Sequence, residues 1–261
     1  MARLAFVLAV FVLAAAPRAA RATPPLVTGE VPTVGKGRFH WFTGFQYQEQ
    51  GAVGRQAPLT DFLYGITRLQ ELKLSAPFVT TGGHQGFGDV TLGAKTMVLQ
   101  EADAAPMTSA SFEAKLPNAD ESKGLGSGST EYDFRLRSQK TLGRLQTYAN
   151  LAYTRVGDVV FAGATQRRSD VLFASLAHET RLAKKWAVLS ELLYANSPLP
   201  GQPNQLSASL GFKFFYHQGR ESIFGSVAKS LREGNVGGPR VRFYWGLRFI
   251  FGGEPQKDRI D

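Results

Sequence analysis

Twelve segments of this chain alternate polar and apolar residues with a period of two, which puts successive side chains on opposite faces of an extended strand. Phe39, Trp41, Thr43, Phe45 and Tyr47 share one parity; His40, Phe42, Gly44, Gln46 and Gln48 share the other. The pattern repeats in Ala110, Phe112, Ala114 and Leu116, in Tyr132, Phe134 and Leu136, in Leu206 to Tyr216, and in Val241 to Phe251. It predicts strands near 37–48, 59–65, 69–77, 87–100, 108–116, 129–139, 145–156, 169–180, 186–196, 205–217, 220–230 and 240–251. Leu182 to Ala195 has the Leu and Glu content of a helix, but its aromatic positions Trp186 and Tyr194 suit a membrane strand better.

The connections fall into two classes. Short links near 66–68, 102–107, 140–144, 183–185 and 218–219 alternate with longer polar loops near 49–58, 78–86, 117–128, 157–168, 197–204 and 231–239. That is the layout of an up-and-down meander. An exported soluble β-sandwich would also alternate, with its apolar face inward and its charged face outward. Strand length, aromatics near strand ends and a second face too charged for a dry core favour the opposite arrangement. In a bilayer every backbone polar group must be paired within the protein, which a closed barrel achieves. Even strand number, short periplasmic turns, long external loops, aromatic girdles and a polar interior complete the expectation. The fold class is therefore read as all-β, an antiparallel up-and-down transmembrane β-barrel of about twelve strands behind an N-terminal signal peptide.

The signal peptide is read at residues 1–22: Arg3, an apolar run from Leu4 to Ala16, and the small-residue end Ala20-Arg21-Ala22. The run is too short for a membrane helix, which needs about 20 apolar residues. Residues 23–36 follow as a Pro- and Gly-containing extended segment that is expected to enter the lumen, residues 37–251 form the barrel, and residues 252–261 a periplasmic polar tail. The chain has 30 Lys plus Arg against 21 Asp plus Glu, but three of the arginines lie in the leader, so the net charge available to a partner falls from +9 to +6. No block of like charges supports nucleic-acid binding. With no cysteine, disulfides, Cys-ligated zinc and thiol chemistry are excluded.

The charged parity set carries the functional expectation. Lys73, Lys95, Glu113, Lys115, Glu131, Asp133, Arg135, Arg137, Lys213, Arg242 and Arg248 are predicted to project into one lumen as pore-lining residues, with bases outnumbering acids and a modest preference for anions. Twelve strands lie between the eight that side chains fill and the 16–18 of open aqueous porins, so the path is expected to be narrow.

Other motifs fail on their spacing. His178-Glu179 begins like a zinc-protease helix, but residue 182 is Leu. His40, His84, His178 and His217 share no metal-ligand spacing, and no cofactor motif is present. Gly124 to Gly128 lacks the Lys-Ser or Lys-Thr of a phosphate loop. Asn118, Asp120 and Glu121 read as a solvated loop. His178 shares the apolar parity of Leu172, Ala174 and Leu176, so Ser175 cannot serve it, and a lipid-modifying site would need a serine on the outer face of a neighbouring strand.

Several short motifs carry a family resemblance: Pro25-Leu26-Val27-Thr28, Thr33-Val34-Gly35-Lys36-Gly37-Arg38-Phe39, Tyr64-Gly65-Ile66-Thr67-Arg68-Leu69, Gly86-Phe87-Gly88-Asp89, Lys115-Leu116-Pro117 and Gly124-Leu125-Gly126-Ser127-Gly128. In this order the chain resembles the outer-membrane transporter family labelled for the meta-pathway of phenol degradation. It departs from the family at Asn118-Ala119, where Thr-Gly is usual, and at Gly29-Glu30. The resemblance implies an outer-membrane barrel that transports. The reading is thus a monomeric channel for passive passage of a small aromatic or anionic solute, surrounded by outer-membrane lipid and lipopolysaccharide. The alternatives are a lipid-modifying enzyme centred on His178, and a non-conducting adhesive barrel whose Arg167 and Arg168 meet lipopolysaccharide.

Overall fold

The computed structural model describes residues 28–50, 52–161, 164–198, 201, 203–216, 220–231 and 241–252. The expected leader, residues 23–27, His217, the turn at 218–219, nearly all of the loop at 231–239 and the tail beyond Gly252 lie outside the described residues.

The strands are β1 (Phe39–Gln50), β2 (Ala52–Gly65), β3 (Gln70–Ser75), β4 (Phe78–Thr81), β5 (His84–Phe87), β6 (Thr91–Leu99), β7 (Met107–Lys115), β8 (Glu131–Leu142), β9 (Leu145–Val156), β10 (Val159–Phe161), β11 (Ala164–Gln166), β12 (Val171–Ala183), β13 (Trp186–Ala195), β14 (Gln205–Tyr216), β15 (Glu221–Ser230) and β16 (Val241–Phe251). Twelve of them make the wall, in the ring order β1, β16, β15, β14, β13, β12, β9, β8, β7, β6, β3, β2. Each neighbouring pair is antiparallel, and β1 pairs with both β16 and β2, which closes the barrel. The remaining four strands are extensions. β4 and β5 continue β3 and β6 past the breaks at 76–77 and 88–90, and β10 with β11 forms a small hairpin above β9 and β12.

Three stretches expected as loops hold strand: 49–58, 78–86 and 157–168, the last carrying β10 and β11. The first hairpin stays paired out to Gln50↔Ala52, so 49–58 is not a loop. Within 78–86, β4 and β5 pair around Gly82 and Gly83, whose φ values of 54° and 84° make the reversal. A glycine pair needs only the turn itself, and the flanking Phe78, Val79, Thr80 and Thr81 are strand formers. The helix-like stretch Leu182 to Ala195 is the end of β12, a two-residue turn and β13.

The apolar parity faces outward. Tyr132, Phe134 and Leu136 are exposed, whereas Asp133, Arg135 and Arg137 between them are covered. Aromatic contacts gather at both ends of this outer face. At the short-turn end, Trp41 meets Phe249 at 5.4 Å and Trp186 meets Phe214 at 4.7 Å. At the long-loop end, Tyr47 meets Phe243 at 6.1 Å. An apolar exterior between two aromatic belts is the solvent-matching surface of a bilayer-spanning barrel. No described helix is long and apolar enough to cross a membrane; the strands do the crossing.

Candidate solute pathway

The enclosed face of β3, β6, β7 and β8 is an ionic ladder. Lys95 Nζ meets Glu71 at 2.8 Å, Lys73 Nζ meets Glu113 at 2.8 Å, and Lys115 Nζ meets Glu131 at 2.7 Å. Arg137 donates to Ser111 Oγ at 2.6 Å and lies 3.7 Å from Glu113, while Arg135 binds Asp133 on its own strand at 3.2 Å. The pairs recur because period two repeats one face every second residue, and antiparallel register sets Glu113 opposite Asp133 and Lys115 opposite Glu131. A cavity of about 110 Å³ lies against this ladder, lined by Glu30, Glu71, Lys73, Glu113 and Arg137 together with Asp61, Phe42 and Leu63. At roughly 30 Å³ of liquid volume per water it holds a few waters, well short of a pocket for a drug-sized ligand at about 300 Å³ or more.

Further round the ring the inner face changes character. On β9, β12 and β13, Tyr148 packs with Ala177 and Leu189, and Ala152 packs with Phe173 and Leu193. The Arg135 guanidinium stands 4.9 Å over the Phe173 ring, joining the ionic face to the apolar one. Lys213 on β14 is fully buried against Glu179 on β12 at 2.9 Å. Arg248 on β16 lies 3.7 Å from Glu30, and Arg242 is half-buried three repeats of the pleat away on the same inward parity.

The structure thus puts all eleven charged residues singled out in the sequence on the covered parity. It adds Asp61, Glu71, Glu179 and Glu191 from the strands and Glu30 from the N-terminal segment, so the enclosed acids come close to matching the bases and the charge count by itself gives little anion bias. Glu179 and Glu191 share the parity of Ala177 and Leu193, which was the signal available for them.

Residues 28–38 run inside the ring. Thr28 N–H donates to Glu191 Oε1 at 2.6 Å, and Val34 N–H donates to Glu71 Oε2 at 2.7 Å. Lys95 Nζ donates to the Pro32 carbonyl at 2.8 Å. The segment reaches β1 through Gly37 N–H to the Gly65 carbonyl at 2.8 Å and Gly65 N–H to the Arg38 carbonyl at 3.0 Å. Gly65 is required there, because a Cβ would fall 1.8 Å from the Gly35 carbonyl oxygen. Two motifs distant in sequence, 33–39 and 64–69, therefore meet at the short-turn mouth.

The other motifs meet at the opposite end. Buried Asp89 accepts from Ala119 N–H at 3.1 Å, Ser127 N–H at 2.7 Å and Ser127 Oγ at 2.9 Å. Leu125 packs where a Gly86 side chain would stand. Asp120 forms a 2.6 Å pair with Lys123 and accepts from Ser122; the Lys123 bond, followed by the Ser122 bond, holds its carboxyl down at about 2. Arg168, expected to face lipopolysaccharide, turns back instead. Its guanidinium meets Glu131 Oε1 at 2.5 Å, beside the Lys115 bond to Oε2, and its Nε donates to the Gly157 carbonyl at 2.8 Å, so the carboxylate at the ladder's end is shared by two cations.

His178 faces outward with Thr147 Oγ1 3.0 Å from its Nδ1, and the register sets Ser190 of β13 directly opposite it on the same face. No group of three or more metal-binding side chains occurs among the described residues.

A family sequence profile described as "Putative MetA-pathway of phenol degradation" matches residues 25–222. A search of curated proteins gives no significant match. Among solved structures, the COG4313 outer membrane channel from Pseudomonas putida F1 superposes with a TM-score of 0.66 at 14% identity, covering 87% of this chain and 100% of that one. The KdgM porin in complex with disordered oligogalacturonate follows with a TM-score of 0.55 at 10% identity, covering 81% of this chain and 99% of that one. The NanC porin gives a TM-score of 0.55 at 9% identity, covering 81% and 98%. At these identities the likeness is one of fold: this chain has the twelve-stranded architecture of outer-membrane channels and porins.

Proposed function

The chain belongs to the phenol-degradation MetA-pathway family, and from that premise we propose that it is an outer-membrane channel for passive passage of a small solute bearing a charge, an aromatic ring or both. The observation that carries this reading is the two-sided interior: an ionic ladder on β3, β6, β7 and β8 beside an apolar strip on β9, β12 and β13, enclosed by a lipid-facing wall. The paired charges keep this side of the interior polar, and a polar lining admits water and charged solutes. In this proposal the charged residues predicted from sequence face the path, apart from Lys213, which is fully buried against Glu179, and Arg135 and Arg137 set its field. An ionic wall holds a carboxylate while an apolar strip accepts a ring, and no chemical step is required. The KdgM porin, which shares this architecture, is in complex with oligogalacturonate, a carboxylate-bearing molecule, and that supports a solute of this class. In planar bilayers the purified protein is expected to conduct, and Arg135→Glu with Arg137→Glu to shift its ion preference toward cations. An electrically silent barrel refutes the reading.

A second reading has one observation in its favour. Thr147, His178 and Ser190 lie in a row across β9, β12 and β13 on the lipid face, the order of orienting group, base and nucleophile that a lipid-modifying site needs. It predicts release of fatty acid from phospholipid in mixed micelles, abolished by Ser190→Ala and by His178→Ala. Absence of any release leaves the channel alone.

A further inference from the structure

The interior is not evenly packed. Ser209 and Lys213 of β14, Ser222 and Phe224 of β15 and Arg248 of β16 are all buried, whereas Lys73, Lys115 and Arg135 keep 27%, 29% and 19% of their side chains exposed on the same inward parity. Lumenal water therefore lies against β3, β7 and β8, and β2 borders that side of the ring.

Asp61 of β2 is half-buried and opens onto the cavity beside the ladder. The other carboxylates lining that cavity are matched with cations. Glu113 accepts from Lys73 at 2.8 Å with Arg137 at 3.7 Å, Glu71 holds Lys95 at 2.8 Å, and Glu30 lies 3.7 Å from Arg248. Asp61 makes neither a hydrogen bond nor an ion pair with any described residue. Lys73 stands diagonal to it across β2 and β3; its charge is felt at Asp61 through space, but its hydrogen bond goes to Glu113. The register sets Phe42 directly opposite Asp61, and Leu63 follows two residues along β2, both lining the cavity. Apolar neighbours limit screening, so the field of an unpaired carboxylate reaches further there than in open water. The space, about 110 Å³, admits a small ion with a water or two and excludes a ring-bearing solute.

Resting on the channel reading above, we infer that Asp61 is a cation-binding position on the solute path and sets the path's preference there for small monovalent cations, metal or ammonium. Arg137 lines the same cavity from β8, a third of the ring away, so a cation position and the basic wall stand across one small space. The near balance of enclosed acids and bases then hides two local preferences of opposite sign.

The chain contains no cysteine, so an introduced thiol is unique. Ser75 lies directly opposite Asp61 on β3 and shares its face, with Cβ atoms about 5 Å apart. In the full-length Ser75→Cys protein in detergent, a trimethylammonium methanethiosulfonate is expected to react several-fold faster than a sulfonate-bearing one, relative to a free thiol in solution. Adding Asp61→Asn should reduce that ratio several-fold. An unchanged ratio, or no reaction with either reagent, overturns the inference, whether or not the protein conducts. In planar bilayers Asp61→Asn should lower the permeability of potassium and of methylammonium relative to chloride several-fold. A fall for potassium alone assigns the position to metal ions and a fall for methylammonium alone to amines; no fall for either, in a protein that conducts, overturns it. Stability supplies the control. Asp61→Asn orphans no partner and should leave the urea midpoint at the parent's, whereas Glu113→Gln, which weakens the hold on Lys73 and Arg137, should lower it. A drop with Asp61→Asn as large as with Glu113→Gln would mean that Asp61 is already paired, and the inference fails.

Discussion

Two lysine–carboxylate pairs of similar length stand at opposite extremes of this molecule. Lys213 and Glu179 meet at 2.9 Å inside the barrel with both side chains at 0% exposure; Lys123 and Asp120 meet at 2.6 Å on the outer loop at 53% and 38%. Distance barely separates them, so the surrounding medium decides what each is worth. In the interior, desolvation makes either member intolerable without the other. On the loop, water screens both and each can do without its partner. The lesson extends to the two segments that fold back onto the barrel. The strap at 28–38 is held by the buried ionic set, whereas the loop at 117–130 is held by one buried carboxylate, Asp89, and not by its surface ion pair.

The largest expected effect breaks the interior pair. Lys213→Met leaves Glu179 buried without its cation and should cost about 3–5 kcal/mol of barrel stability, read as a lower urea midpoint for the heat-modifiable folded band. Adding Glu179→Leu should recover most of the loss, because both charges then vanish together. A single variant as stable as the parent would mean that lumenal water reaches Glu179.

Next comes the loop's real anchor. Asp89→Asn turns one of its two acceptor oxygens into a donor facing Ser127 N–H and Oγ, a loss of about 1.5–3 kcal/mol in local stability. Protease nicking between 117 and 130 should accelerate while the barrel's unfolding midpoint hardly moves. Smaller again is Gly29→Val, where the added methyls press on Arg137 Nε. Overpacking of this kind costs about 1–3 kcal/mol in a rigid core, and the flexible arginine end places this variant near the bottom of that range. Its effect should appear as faster proteolysis within 28–34 and not as loss of the barrel.

How much of this was legible beforehand follows from range. Tyr132, Phe134 and Leu136 against Asp133, Arg135 and Arg137 is a local alternation, and from such alternations the barrel, its inner and outer parities and nearly all strand positions could be read. The reading went astray where local chemistry has two solutions. Gly82-Gly83 suggests a whole loop where only the turn is glycine, and Glu191, although on a stretch rightly read as strand, is not among the inward charges expected there. Glu179 was considered only beside His178, as half of a metal motif, although its parity already pointed inward. The strap's path was out of reach, since Thr28 finds Glu191 across 163 residues and nothing near either residue encodes the other. Family motifs came closest: 33–39 and 64–69 were noticed separately, and they touch.

The smallest effect concerns the outer pair and has a definite sign with pH. Lys123 first, and Ser122 after it, hold the Asp120 carboxyl down at about 2, below its ordinary value of 3.8. A carboxyl depressed on folding contributes above the ordinary value and loses its contribution as pH falls through the depressed one. The loop should therefore be indifferent to pH from 7 down to about 4, then loosen progressively until pH has fallen through about 2. Added salt should weaken the same contribution, since both partners face water. Asp120→Asn should abolish that acid limb while leaving nicking at neutral pH close to the parent's, because Asp89 still holds Ala119 and Ser127. If Asp120→Asn instead opened the loop as far as Asp89→Asn does, the exposed pair would rank with the buried ones, and burial would not be what separates the two ends of this barrel.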